Sequence, residues 1–262
     1  MKIRGIEIAY DDNGQGEALV FIHGQPFDRS MWRYQLEAFA DHRLIMPDLR
    51  GYGQSGIPEG TTLLDELALD IWQLLERLGI DQAVFVGLSM GGQVLLELYR
   101  MAPQLFRGLV LADTTAKAED EAGYHHRLQM ADYIEAKGME IFAEERIHKF
   151  MSNNTFNNQP EVTLHLRQMM HRTPPAGSAR VQRGRAERSN LEPVLANIAV
   201  PTLVLVGAED EFTPVAMVRD MQLLIPGSRL VIIDQAGHIP NMEQAAAFNR
   251  ELRHFLDQMK TS

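Results

Sequence analysis

The chain has 262 residues, no cysteine and a formal net charge of −10 at pH 7. The acidic balance argues against nucleic acid as a partner, because that binding depends on clustered positive charge. The lack of cysteine excludes disulfides, thiolate nucleophiles and cysteine-ligated metal sites. Because no segment approaches the roughly 18 consecutive apolar residues of a membrane span and no apolar signal region opens the chain, we expect a cytoplasmic protein that does not engage membranes.

The first part of the chain shows short strand-like runs separated by turns. Alternation of apolar and polar residues predicts a strand over residues 3–10, and apolar runs predict further strands at 19–22 and 43–47. Residues 11–14 (Asp-Asp-Asn-Gly) resemble the start of a calcium loop, but no carboxylates continue at the required spacing. We therefore predict a hairpin turn there.

Two further motifs resemble a dinucleotide site and a zinc site, but their surroundings do not fit either ligand. Residues 51–56 match the dinucleotide pattern G-x-G-x-x-G, but the Ile-Pro-Glu-Gly that follows cannot open a helix against a phosphate. His125 and His126 have no histidine, cysteine or acid partner at a spacing typical of zinc. We expect neither a cofactor nor a metal.

Residues 87–91 (Gly-Leu-Ser-Met-Gly) form the motif that carries the clearest chemistry. A buried strand is predicted at 82–86 and a helix at 93–99, so the motif lies at a strand-to-helix turn. A serine at such a turn has a strained backbone, and glycines two positions away on either side relieve the crowding. Ser89 is therefore a candidate nucleophile, although a glycine-rich turn with a solvated serine is the simpler alternative.

The second half of the chain supplies a matching base and acid. Strands are predicted at 109–112, 202–206 and 230–233, and their alternation with helices indicates a mostly parallel sheet with helices on both faces. Asp210 follows one of these strands and His238 another. The order Ser89, Asp210, His238 is the one expected of a serine hydrolase built on an α/β sheet.

Each member of this set has an alternative interpretation. Asp113 also stands just past a strand, and some proteins with this arrangement draw the acid from that position, although we favour Asp210. The alternative for Asp210 is that it is a carboxylate in a turn with no catalytic role. His238 is otherwise a surface residue that caps the helix beginning near Glu243.

A nucleophilic serine also needs donors for the developing oxyanion. One is expected from the backbone of Met90, directly after the nucleophile, and the other from the loop after an early strand. Residues 23–26 (His-Gly-Gln-Pro) form that loop, and because proline has no N–H, Gln25 is the candidate. His23 is interpreted as a residue that braces the loop rather than one that takes part in catalysis.

Residues 116–190 lose the strand pattern and read as helices rich in methionine and arginine. We predict that they form a helical lid inserted into a core of residues 1–115 and 191–262. Six arginines face a single carboxylate, Glu187, in the last part of this segment: Arg167, Arg172, Arg180, Arg183, Arg185 and Arg188. One or two of them could bind a substrate carboxylate, and the alternative is a solvated helix face.

Five motifs together resemble the α/β-hydrolase family, from the first strand to the last helix. They are His23-Gly24-Gln25-Pro26, Asp48-Leu49-Arg50-Gly51-Tyr52-Gly53-Gln54-Ser55, Gly87-Leu88-Ser89-Met90-Gly91-Gly92, Gly207-Ala208-Glu209-Asp210 and Gly237-His238. Within the family, residues 87–92 and 109–117 resemble 3-oxoadipate enol-lactonases and small serine carboxylesterases. The His-Gly pair before Gln25 departs from those lactonases, which leaves the substrate open.

The motifs and the resemblance predict a serine hydrolase that cleaves a small carboxylic ester or lactone through an acyl-enzyme on Ser89. A cofactor-free perhydrolase or a carbon–carbon bond hydrolase would use the same triad. A ligand sensor with slow turnover is a third candidate, since some signalling proteins of this fold keep the triad. The sequence leaves the oligomeric state open.

Overall fold

The computed structural model describes residues 1–260 and contains a seven-stranded central sheet. A separate N-terminal hairpin consists of β1 (Lys2–Ile3) and β2 (Ile6–Glu7). The sheet strands are β3 (Tyr10–Asn13), β4 (Ala18–Ile22), β5 (Arg43–Pro47), β6 (Ala83–Leu88), β7 (Phe106–Ala112), β8 (Thr202–Gly207) and β9 (Arg229–Ile233). Their spatial order is β3-β5-β4-β6-β7-β8-β9, and all are parallel except β3, which runs antiparallel to β5.

Helices cover both faces of this sheet, as the sequence predicts. The helices outside residues 116–190 are α1 (Arg33–Leu36), α2 (Leu64–Arg77), α3 (Met90–Met101), α8 (Glu192–Leu195), α9 (Val215–Leu223), α10 (Pro240–Glu243) and α11 (Ala245–Lys260). Along β4, Val20 and Ile22 pack into one apolar cluster with α2 and α3, whereas Leu19 and Phe21 pack into a second cluster with α11. Because successive strand residues point to opposite faces, the wholly apolar strands fill two cores at once.

Residues 116–190 lie between β7 and β8 and contain four α-helices in the described chain. These are α4 (Glu121–Arg146), α5 (Asn153–Asn158), α6 (Pro160–Arg172) and α7 (Pro175–Ala186). We call this segment the helical insertion. Helix α7 approaches the core closely, since a Cβ atom built on Gly177 would lie 2.1 Å from the carbonyl oxygen of Gly51.

Two predictions about the N-terminal region were wrong. Residues 3–10 are not one strand, because the backbone turns at Arg4 and Gly5, both with positive φ, and separates β1 from β2. Residues 11–13 do not form a hairpin turn but lie in β3, where Asp11 pairs with Met46. Since β3 is an edge strand with a largely exposed surface, it tolerates polar residues that sequence patterns assign to turns.

None of the helices described above is a candidate membrane span. Within residues 1–260, no helix is both long enough and apolar enough to cross a bilayer.

A very close backbone contact lies at the start of α3 and generates a stability prediction. A Cβ atom on Gly91 would lie 2.1 Å from the carbonyl oxygen of Ile22, so Gly91→Ala must displace β4 or α3 and should lower the free energy of unfolding by about 3 kcal/mol or more. Gly79→Ala is the control, because it adds positive-φ strain of about 1–2 kcal/mol without any contact within 4 Å. Urea unfolding measures both losses. An equal or smaller loss for Gly91→Ala would contradict the close packing.

Candidate active site

Ser89 occupies a strained turn between β6 and α3. Its backbone has φ 55° and ψ −117°, a conformation that non-glycine residues rarely adopt. Two hydrogen bonds hold it there: the Ser89 N–H donates to the carbonyl of Ala112 (2.8 Å), and the Thr114 hydroxyl donates to the carbonyl of Ser89 (2.7 Å). The neighbouring strand β7 and the loop after it therefore maintain the serine in position.

The glycines around Ser89 are required by close approach of the backbone. A Cβ on Gly87 would lie 2.7 Å from the backbone of Gly91, and one on Gly24 would lie 3.1 Å from the Ser89 Cβ. The loop after β4 thus packs directly on the serine turn. These contacts give a physical reason for the Gly-x-Ser-x-Gly spacing.

His238 and Asp210 form a buried hydrogen-bonded pair. His238 lies in the loop between β9 and α10, and its Nδ1 is 2.8 Å from Asp210 Oδ2. Asp210 also accepts hydrogen bonds from the Phe212 N–H (2.8 Å) and from the Thr213 hydroxyl. Although burial opposes ionisation, the charge and hydrogen bond of His238, together with these two donors, lower the pKa of the Asp210 carboxyl to about 2.

Asp113, the alternative acid, lies beside this pair but makes a different contact. It is fully buried, and its Oδ1 accepts a hydrogen bond from the Gly207 N–H at 2.8 Å. Burial, followed by the charge of Asp210, raises the pKa of the Asp113 carboxyl well above its usual range. The carboxylate that hydrogen-bonds to His238 is that of Asp210, while burial disfavours the charged form of Asp113.

The same three groups are the candidate metal ligands in the described chain. Asp113, Asp210 and His238 each offer one ligand atom, and these atoms lie within 4.8 Å of one another. Asp210 Oδ2 and His238 Nδ1 already bond to each other, and Asp113 Oδ1 accepts a hydrogen bond from the Gly207 N–H. This arrangement favours an acid–base pair over a metal centre.

The two candidate oxyanion donors lie on either side of Ser89. Met90 is the first residue of α3, and Gln25 follows β4 in the loop that packs on the serine turn. The structure shows no hydrogen bond from either backbone N–H to another described residue. Both donors therefore keep their hydrogen-bonding capacity for a ligand.

His23 braces the same loop, in line with its prediction. Its Nδ1 lies 2.8 Å from the carbonyl of Gly24, and its Nε2 accepts a hydrogen bond from the Leu49 N–H at 2.9 Å. This pattern requires a neutral imidazole that donates from Nδ1. Burial lowers the pKa of His23, which keeps the ring neutral.

A cavity of about 350 Å³ lies between the core and the helical insertion, at the carboxyl ends of the strands. Ser89, Gln25 and His238 line it from the core. Helical-insertion residues complete the wall, among them Met130, Phe142, Phe150, Gln182 and Arg185.

The six arginines of the helical insertion separate into different environments. Four of them form ion pairs: Arg167 with Glu144, Arg172 with Asp28, Arg183 with both Asp132 and Glu135, and Arg188 with Glu119. Arg180 donates to the carbonyl of Pro58. Of the six, Arg185 and Arg188 line the cavity, and Arg185 forms no ion pair with any residue in 1–260.

Glu243 holds the loop that carries His238, a position that the sequence analysis did not predict. Its carboxylate accepts hydrogen bonds from the backbone N–H groups of Gly237 (2.8 Å), Ile239 (3.2 Å) and Ser152 (2.7 Å). Gly237 and Ile239 flank His238, and Ser152 belongs to the helical insertion. The sequence offers one weak signal for this role, a carboxylate five residues after His238.

Comparison with known proteins agrees with the fold. The family model for the alpha/beta hydrolase fold matches residues 17–245. The 3-oxoadipate enol-lactonase 2 of Acinetobacter baylyi is 32% identical over 250 residues, which cover 93% of this chain and 91% of that protein. A thermophilic esterase from Thermogutta terrifontis, solved with malate bound, has a TM-score of 0.94 at 37% identity and covers 97% of this chain and 94% of its own. The enol-lactonase from Burkholderia xenovorans LB400 has a TM-score of 0.91 at 28% identity, covering 97% of this chain and 98% of its own. On the family match and the enol-lactonase relative together, the chain belongs to the α/β-hydrolase family.

Proposed function

We propose that this protein is a serine hydrolase that cleaves carboxylic esters or lactones through an acyl-enzyme on Ser89. The observation that carries the proposal is the buried His238–Asp210 pair, whose His238 lines the same cavity as the strained Ser89. The enol-lactonase and esterase relatives support this substrate class.

The proposed reaction begins with proton transfer from Ser89. Because His238 donates its Nδ1–H to Asp210, its Nε2 is the ring atom that accepts the serine proton. The Ser89 oxygen then attacks the carbonyl carbon, and the resulting oxyanion accepts hydrogen bonds from the N–H groups of Gln25 and Met90. The low pKa of Asp210 keeps its carboxylate charged beside the imidazolium.

Collapse of this intermediate breaks the bond to the alcohol oxygen, which takes the proton from His238. Water then gives a proton to His238 and attacks the acyl-enzyme, and the second intermediate releases the acid and regenerates Ser89. For a lactone, alcohol and acid belong to one product. We further propose that the helical insertion acts as a lid over residues 1–115 and 191–262, and that the reaction takes place in the cytoplasm.

Ser89→Ala tests the nucleophile. We expect the hydrolysis of p-nitrophenyl butyrate to fall at least about 1000-fold, because no acyl-enzyme can form. The wild-type protein should still hydrolyse the ester in the presence of EDTA. The matched control is Ser189→Ala, which removes an exposed hydroxyl of the helical insertion outside the cavity lining and should keep wild-type activity.

Several outcomes would contradict the proposal. Hydrolysis that survives in Ser89→Ala or disappears with EDTA would exclude the serine mechanism. Wild-type protein that hydrolyses neither this ester nor a lactone panel would favour the ligand sensor. Peracid formation with hydrogen peroxide that outpaces hydrolysis would favour the perhydrolase.

Asparagine substitutions at the two acids distinguish their roles. Asp210→Asn should lower kcat by about 10³–10⁴-fold, because an amide neither stabilises the imidazolium nor fixes its tautomer. Asp113→Asn should retain kcat within about tenfold, since Asp113 accepts its hydrogen bond from the Gly207 N–H rather than from His238, and an amide oxygen can accept the same bond. Steady-state kinetics on folded protein measures both changes. The reverse ranking would assign the acid to Asp113.

Glu243→Gln tests the support of the His238 loop. The amide cannot accept all three backbone N–H bonds, so we expect the free energy of unfolding to fall by about 1–3 kcal/mol. We also expect kcat to fall by more than KM changes, because the His238 loop loses its anchor. Glu209→Gln, an exposed residue near Asp210, is the control. Unchanged kcat and stability in Glu243→Gln would contradict this role.

A further inference from the structure

The cavity has a positive wall although the chain as a whole is acidic. The cations of the wall are Arg127, Arg146, Lys149, Arg185 and Arg188. Its carboxyl groups are Glu119 and Asp113, and burial disfavours the charged form of Asp113. Glu119 is already shared, because it forms ion pairs with both Arg127 and Arg188. A ligand in this cavity therefore meets a clear excess of positive charge.

Arg185 is the cation in this wall whose position is hardest to explain without a ligand. It is 7% exposed, and its hydrogen-bond acceptors are the neutral side-chain amides of Gln25 (from Nη1, 3.1 Å) and Gln93 (from Nε, 3.3 Å). Its Nη2 donates to no residue that the structure describes. Burial, followed by the charges of Arg127 and Arg188, lowers the pKa of Arg185 well below its usual value.

A buried guanidinium without a carboxylate partner costs free energy unless another anion compensates it. If no ligand bound there, an uncharged residue in place of Arg185 would avoid this cost. Its position in the wall of the cavity that contains Ser89 and His238 indicates that the compensating anion arrives with the ligand.

We propose that Arg185 binds a carboxylate of the substrate, so that the preferred substrates are esters or lactones that also carry a carboxylate group. This inference rests on the proposed function and specifies its substrate class. The planar guanidinium suits a carboxylate, which it can contact with two parallel N–H groups. Among the cations of the wall, Arg185 is the buried one that forms no ion pair with any residue in 1–260, and one such cation matches a single negative charge.

Gln25 fixes how far this carboxylate lies from the reacting carbonyl. Its backbone N–H is the proposed oxyanion donor, and its side-chain oxygen accepts from Arg185. The carboxylate site therefore lies about one glutamine side chain and one guanidinium group away from the oxyanion site. This spacing selects substrates in which a few carbon atoms separate the carboxylate from the ester or lactone carbonyl.

A pair of matched methyl esters tests the charge preference. Monomethyl glutarate carries a carboxylate, and methyl valerate has the same acyl chain length without charge. We expect wild-type kcat/KM to favour monomethyl glutarate, and Arg185→Met to reduce the ratio of the two kcat/KM values by about 30-fold or more, mainly through KM. Arg185→Lys should retain part of the preference, because it keeps the charge but loses the planar donor pair.

Arg183→Met is the control for these variants. Arg183 lies on the same helix, α7, but is paired with Asp132 and Glu135 and is absent from the cavity wall. Its substitution should leave the ratio unchanged. A ratio in Arg185→Met equal to that of the wild type, or a wild type that prefers methyl valerate, would overturn the proposal.

Binding to Ser89→Ala separates this proposal from the hydrolase mechanism, because this variant is not expected to consume the ester. Calorimetry should show tighter binding of monomethyl glutarate than of methyl valerate, and Arg185→Lys added to Ser89→Ala should weaken the binding of the anion at least about tenfold. If this binding is observed but the wild type does not hydrolyse the ester, the carboxylate site is supported and the proposed hydrolase function is rejected. Ester turnover by the wild type without Arg185-dependent binding would do the opposite.

Discussion

The tight turn at Ser89 is the constraint around which the rest of this site is arranged. A residue with a side chain adopts φ 55° here only because hydrogen bonds from the Ser89 N–H and from Thr114 restrain its backbone. The turn also requires backbone to lie almost against backbone, at Gly91 beside Ile22. The strained serine, the loop carrying Gln25 and the start of α3 therefore form one rigid unit.

Much of this arrangement was predictable because it depends on local chemistry. The glycine spacing around Ser89 reflects steric limits within five residues, and the apolar strand runs reflect burial on both faces of the sheet. The sequence could not distinguish edge from interior strands, so the polar residues of β3 were assigned to a turn. It also could not show that Glu243 reaches back to Ser152, since that contact joins residues 91 positions apart.

The two aspartates near His238 show how burial and partners shift the pKa of the same residue type in opposite directions. Asp210 has His238 and two further donors, and its pKa falls to about 2. Asp113 has one backbone donor and the charge of Asp210 beside it, and its pKa rises. Both follow strands in the sequence, so the distinction depends on three-dimensional contacts that no spacing rule contains.

The triple hydrogen bond to Glu243 also limits how the helical insertion can move. Its carboxylate holds Ser152 and both neighbours of His238 at once, and separating them would leave buried donors unsatisfied at about 1–3 kcal/mol each. Helix α7 is attached to the core at a second place, by the Arg185–Gln25 hydrogen bond and the close approach of Gly177 to Gly51. With both attachments intact, the helical insertion cannot move away from the core as a unit, so a change in the cavity entrance must come from within the insertion itself.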